Sequence, residues 1–208
     1  MRRFTSALSL TLLLCGFSTV AQVTSPIVDP IDRVVAAGLM SRSADGDFYP
    51  DAFMSRAELA NVLVRTFRLA QRTPRQGPSV SLQDVPNNHW AYNDIQLVLQ
   101  NGIMTGYRQG RFFPNQRVTR AEAFSIFAQA YGVFQLPEET INDILSNYPD
   151  ASEIPSWARK SMATALYGGF VNIDTNNRIH PLQPMTRADM AYVLSIYLNQ
   201  QHVPNIQL

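Results

Sequence analysis

Val118-Thr119-Arg120-Ala121-Glu122, with Pro114 four residues ahead of it, is said twice more in this chain. Met54-Ser55-Arg56-Ala57-Glu58 follows Pro50, and Met185-Thr186-Arg187-Ala188-Asp189 follows Pro181. The arginines stand 64 and 67 residues apart and the prolines keep the same offsets, so the chain is built from three repeats. Ser or Thr followed three residues later by a carboxylate, ahead of an apolar run, predicts a helix N-terminus closed by a capping box. Such a cap contributes about 0.5–2 kcal/mol to its helix, so Ser55, Thr119, Thr186, Glu58 and Glu122 have a folding role to fill. The arginine does not, because a cation in the first turn opposes the helix dipole.

Working outward, each repeat reads as helix, loop, helix. Asp29-Pro30 supplies an N-cap and an N1 proline for a helix carrying Ile31, Val34 and Val35, which Gly38 ends. A turn at Ala44 to Pro50 leads to the Ser55-capped helix, expected to run to about Ala70 with Ala57, Ala60, Leu63, Val64 and Phe67 on its buried face. In the second copy His89-Trp90 begins a helix through Ile95, Val98 and Leu99 that stops at Gly102, and a loop from Gly106 to Pro114 precedes the Thr119-capped helix. In the third, Trp157, Met162 and Leu166 lie on the first helix and the second runs from Arg187 to about Asn199. Gly38, Gly102 and Gly169 coincide under the repeat offsets, as do Gly46, Gly110 and Asn177, the residue types that tolerate positive φ. The divisions are 1–21 leader, 22–28 lead, 29–70 repeat one, 71–81 linker, 82–132 repeat two, 133–147 linker with a short helix, 148–199 repeat three and 200–208 tail.

Composition narrows the function classes. The 208 residues are 46% hydrophobic and 16% charged, enough for a core and too few charges for a disordered chain. Arg2 and Arg3 precede an apolar run from Ala7 to Phe17 and the ending Thr19-Val20-Ala21, which reads as a secretory signal peptide cleaved after Ala21. Without those two arginines the 17 basic groups fall to 15 against 16 acidic ones, which argues against nucleic acid as a partner. The single cysteine, Cys15, lies inside the leader; lipoprotein processing there is disfavoured by Leu14. No later apolar stretch approaches the ~20 residues of a membrane span. The mature chain is therefore expected outside the cytoplasm, at the cell wall, cell surface or periplasm.

These residues resemble S-layer homology repeats: Leu-x-Asp-Val at 82–85, His89-Trp90-Ala91, Gly102-Ile103-x-x-Gly106-Tyr107, Phe112-x-Pro114 and Thr119-Arg120-Ala121-Glu122. The resemblance covers residues 29–199 and implies an all-α, mainly helical fold: three helix-loop-helix repeats in a pseudo-threefold bundle, with grooves between neighbours. It also implies binding of peptidoglycan-linked, acidic and often pyruvylated cell-wall polysaccharide. Carried over by position, Arg56, Arg120 and Arg187 become candidates to take a sugar-borne carboxylate in two hydrogen bonds. Trp90 and Trp157 become candidate sugar platforms, with a core role for the same rings left open, and Gly106 and Tyr107 shape the groove. Departures are uneven. Repeat one has Pro26 at the tryptophan position and Arg42 at the loop-glycine position; repeat three has Ile173 at the latter and Asp189 for Glu. Repeat two is the best match and is expected to supply the working groove.

The leading expectation is a non-catalytic envelope protein that binds wall glycan. The alternative is a structural adaptor whose repeats bind another protein, such as an outer-envelope porin or secretion component, through an apolar surface around Phe134, Leu136 and Ile144. His89, His180 and His202 stand apart, with no metal spacing, nucleophile elbow or phosphate loop, so no enzyme, cofactor or metal is expected.

Overall fold

The structure, a computed structural model, describes residues 29–71, 79–106, 108–132, 134 and 136–202. The leader, the lead, most of the first linker, Tyr107 and the end of the tail lie outside the described residues. Seven α-helices follow in order: α1 Pro30–Ala36, α2 Arg56–Phe67, α3 Tyr92–Gln100, α4 Arg120–Tyr131, α5 Glu138–Ser146, α6 Arg159–Tyr167 and α7 Arg187–His202. Among the described residues the only β pairing is isolated bridges. The chain is all-α, as the repeat pattern requires.

The helix starts form for the reasons their sequences declare. Ser55 Oγ and Thr119 Oγ1 each accept from the N3 amide while Glu58 and Glu122 accept from the cap amide, completing two capping boxes. Asp189, one carbon shorter, still closes the third, its Oδ2 accepting from Thr186 N at 2.9 Å and its own amide donating to Thr186 Oγ1 at 3.1 Å. Gly38, Gly102 and Gly169 all take positive φ, between 67° and 72°, and end the first helices as their alignment predicts.

The repeats then close on one another in a ring. The second helix of each packs against the first helix of the next: α2 on α3, α4 on α6, and α7 back on α1. At the pseudo-axis three buried residues join hands through their backbones: Met54 N donates to Met185 O, Met185 N to Val118 O, and Val118 N to Met54 O, at 2.9, 2.9 and 3.1 Å. The first-turn amides of each second helix, which have no partner inside their own helix, are taken by the neighbouring repeat. Arg56 N and Ala57 N donate to Gln116 O and Pro114 O, Arg120 N and Ala121 N to Gln183 O and Pro181 O, and Arg187 N and Ala188 N to Ala52 O and Pro50 O. The repeated prolines are thus acceptors for the second-helix start of the preceding repeat in the ring. Lower along the axis, Phe67, Phe127 and Tyr197 meet with ring centroids 5.4–6.1 Å apart.

Local boundaries differ from the sequence reading in four places. His89 and Trp90 belong to a turn before α3, with His89 Nδ1 accepting from Ala91 N at 3.1 Å, and Trp157 sits in a 3-10 turn, Ser156–Ala158, ahead of α6. Helix α2 stops at Phe67 because Arg68 adopts a left-handed conformation, φ 50°, and Leu69–Gln71 continue as a 3-10 turn. Helix α7 runs past Asn199 to His202.

The ring predicts where stability concentrates. Arg120 is almost wholly buried against Asp189 and the repeat-three loop, so Arg120→Ala strands a buried carboxylate and should cost about 3–5 kcal/mol. Urea unfolding followed by far-UV circular dichroism checks it; a midpoint within error of wild type would refute the assignment.

Candidate functional site

The three motif arginines do the same thing in rotation. Arg56 lies over the Phe112 ring at 4.5 Å and donates from Nε to Phe112 O and from Nη2 to Thr105 O, both at 2.8 Å. Arg187 lies over Phe48 at 4.5 Å and donates to Phe48 O at 2.8 Å and Ser41 O at 2.7 Å. Arg120 donates from Nε to Ile179 O at 2.8 Å and from Nη2 to Asn172 O at 2.5 Å, and its Nη1 meets Asn172 Oδ1 at 3.1 Å and Asp189 Oδ1 at 2.7 Å. Each guanidinium therefore spends two of its arms on main-chain carbonyls of the following repeat. The bidentate fork that the sequence reading aimed at a ligand carboxylate holds the loop that forms the groove.

The loop is shaped to receive it. Tyr49, Phe113 and His180, each directly before a motif proline, take positive φ of 52–56°, a conformation disfavoured for non-glycine residues. Asp84 holds the second of these turns by accepting from Phe112 N and Phe113 N at 2.9 and 2.7 Å; Asp150 holds the third by accepting from Ile179 N and His180 N at 3.0 and 2.7 Å. These aspartates were visible in the repeat openings, but nothing local in the sequence indicates an acceptor for amides nearly thirty residues on.

Three clefts result, and they are chemically unequal. The first, about 390 Å³, is lined by Arg56 from repeat one, Gly102 to Thr105, Glu122, Ile126 and Gln129 from repeat two, and Trp157 from repeat three. Trp157 is 59% exposed, so its ring lies at the surface and is no part of the core. The second, about 570 Å³, contains Arg120 with Asn172, Asp174, His180, Asp189 and Phe53, and no tryptophan among the described residues. The third, about 90 Å³, gathers Arg187, Ser41, Glu58 and Asn61. Trp90 is 63% exposed and stacks on His89 at 5.8 Å, but does not line that small cleft. Gly106 follows Thr105 without lining the first cleft, and its added Cβ would stand 3.4 Å from Arg111 O.

The structure therefore brings together Arg56 and Trp157, which the sequence reading did not pair, and puts Arg120 in a cleft that Trp90 does not line. The middle repeat does supply most of one cleft, through its loop and α4, while its own arginine serves the neighbouring cleft. Glu122 and Gln129 enter the first cleft as residues the motif reading had used only as a cap or not at all. Gln129 is the kind of residue an i, i+3 projection from Ile126 would have found, once the cleft-facing side of α4 was known.

Comparison with known proteins agrees with this architecture. The S-layer homology domain matches residues 16–60, 82–124 and 147–191. The chain is 31% identical over 170 residues to the Surface-layer 125 kDa protein of Lysinibacillus sphaericus, which covers 80% of this chain and 14% of that protein. It is 28% identical to an Amylopullulanase of Thermoanaerobacterium thermosulfurigenes over 80% of this chain and 9% of that protein. It is 24% identical to a Cellulosome-anchoring protein of Acetivibrio thermocellus over 72% of this chain and 33% of that protein. The chain thus spans a third or less of each of these relatives.

Electrostatics distinguish the second cleft. Burial raises the Asp189 pKa, but the Arg120 charge and the Asn172 and Thr186 hydrogen bonds outweigh it and hold the carboxyl below its ordinary 3.8. Asp174 is likewise held below its ordinary range, by the Arg178 amide and the His180 ring. A folded-state pKa that is depressed contributes stability above the unfolded value and loses it as pH falls through the folded one. The melting-temperature advantage of wild type over Asp189→Asn should therefore be constant above the carboxylate range and shrink once pH drops below 3.8. Paired thermal melts across acid pH test this, and a gap that does not narrow would remove Asp189 as the titrating group.

Proposed function

Because the chain belongs to the S-layer homology domain family, we propose that it is a non-catalytic cell-envelope protein that binds peptidoglycan-linked acidic wall polysaccharide in the cleft containing Arg56 and Trp157. The observation that carries the reading is the meeting, in one cleft lined by all three repeats, of an exposed tryptophan face and the Arg56 guanidinium. An indole face offers a sugar ring a flat apolar surface, while Thr105 and Gln129 supply hydrogen-bonding groups beside it. Arg56 acts from the floor: its charge favours a carboxylate-bearing residue such as a pyruvylated sugar, while two of its arms fix the loop. Glu122 shares the cleft and is engaged by Thr119 N and Oγ1 at 2.7 and 2.9 Å, which ties down one of its oxygens. The names of the relatives, a surface-layer protein and a cellulosome-anchoring protein, support attachment at the cell wall. No helix among the described residues is long and apolar enough to cross a membrane.

The adaptor reading loses part of its expected surface. Leu136 and Ile144 pack against the core, and Phe134 remains exposed beside Tyr167, with ring centroids 5.8 Å apart.

Co-sedimentation with purified sacculi, intact and stripped of accessory glycan, tests the glycan reading. Wild type should be retained on intact walls only. Trp157→Ala should weaken retention about tenfold, the loss of a single strong contact, with an unchanged circular dichroism spectrum because the ring is exposed. Trp90→Ala should change it little. Wild type that fails to pellet with intact walls would end this proposal.

A further inference from the structure

A fourth cleft lies away from the groove ring. It is about 580 Å³ and is lined by Ala37 and Leu39 at the end of α1, Arg65 to Arg68 at the end of α2, and Tyr197, Leu198 and Gln201 near the end of α7. Helix α2 has 12 residues, so this cleft sits about 18 Å along the helix from the Arg56 staple. Its chemistry differs from that of the other three. Each arginine groove includes at least one acidic side chain, Glu122, Glu58 or Asp189, whereas the lining here has two arginines and no acid among the described residues.

Both arginines are exposed and little used. Arg65 reaches Gly38 O and Ser41 Oγ only at 3.3 Å, and the Arg68 guanidinium has no hydrogen bond or ion pair among the described residues. The repeat offsets sharpen the point. Arg65 aligns with Gln129 and Ile196, and Arg68 with Gly132 and Asn199. Arg68 ends α2 in the left-handed conformation, φ 50°, where glycine or asparagine is usual, and its counterparts do otherwise: Gly132 has φ 130° and ψ 115°, and Asn199 lies inside α7. Two cations thus depart from the repeat pattern at the same helix end, one of them in a disfavoured backbone conformation, beside walls formed by Leu39, Phe67, Tyr197 and Leu198.

We propose that this cleft binds a monomeric single-chain anionic amphiphile, its alkyl chain along the apolar walls and its carboxylate or phosphate between Arg65 and Arg68. The volume falls within the range of small-molecule sites, and the paired guanidinium groups suit either headgroup. The helix C-termini nearby carry partial negative charge, so the headgroup depends on both arginines being present.

Isothermal titration calorimetry of the full chain tests this with decyl phosphate and decanoate below their micellar concentrations, and with decyltrimethylammonium and inorganic phosphate as controls. Both anionic amphiphiles should bind one per chain, and the controls should not. The double variant Arg65→Gln, Arg68→Gly, whose glycine suits the left-handed position, should bind at least about tenfold more weakly, as loss of charged hydrogen bonds implies. Ala37→Trp, which adds bulk to the cleft lining and keeps both arginines in the chain, should abolish binding. Equal binding by the cationic amphiphile, by inorganic phosphate alone or by the double variant would overturn the proposal. So would association with phosphatidylglycerol vesicles in the absence of any monomer binding.

Discussion

The structure depends on one constraint: every second helix begins with amides and an arginine that only the next repeat can satisfy. The α2, α4 and α7 starts each present N1 and N2 amides to carbonyls in the Pro-containing loop of the following copy, and each N1 guanidinium clamps two more carbonyls of that copy. A single repeat would leave these donors without partners and its apolar faces uncovered. Two repeats would leave the ring open, with Arg187 deprived of Ser41 O and Phe48 O. The three backbone hydrogen bonds among Met54, Val118 and Met185 close at the axis only when all three copies are present. Three is the number at which the polar and the apolar accounts close together.

The same constraint makes the grooves. A cleft exists where the loop of one repeat is pulled against the helix start of its neighbour, so the arginine that stabilises the ring also lies on the cleft floor. Its cation is placed without side-chain entropy left to lose, and it rests on an aromatic face in each copy: Phe112, Phe124 or Phe48. The clefts then differ in what the third repeat adds to their lining. Trp157 adds an exposed ring to the Arg56 cleft, whereas the Arg120 cleft is occupied by its own polar network of Asp189, Asn172, His180 and Asp174. Divergence among copies has changed the grooves while leaving the staples intact.

Much of this was legible in the residues. Capping boxes, helix-ending glycines and the apolar face of α2 are written in local spacing, because each depends on atoms within about one helical turn. The repeat offsets identified equivalent positions before any coordinate was known, including Gly46, Gly110 and Asn177, all of which have positive φ. Less legible was the role of each equivalent set. The arginines looked free for a ligand because their partners lie 49 to 146 residues away in sequence. The tryptophans admitted both a core and a platform reading, since a ring beside a helix start carries no sign of which side faces water.

Sequence by itself determined that the chain has three copies of one helix-loop-helix unit, where the second helices begin, and which positions share a backbone conformation. Those are short-range properties, fixed by hydrogen bonds and sterics between near neighbours. Tertiary structure alone decided that Arg56 keeps company with Trp157 and that Asp189 answers to Arg120. It also decided that Arg65 and Arg68 line a cleft apart from the ring. Each pairing joins different elements, and which of them meet follows from the cyclic order of packing around the axis, a relation that no window of the sequence contains.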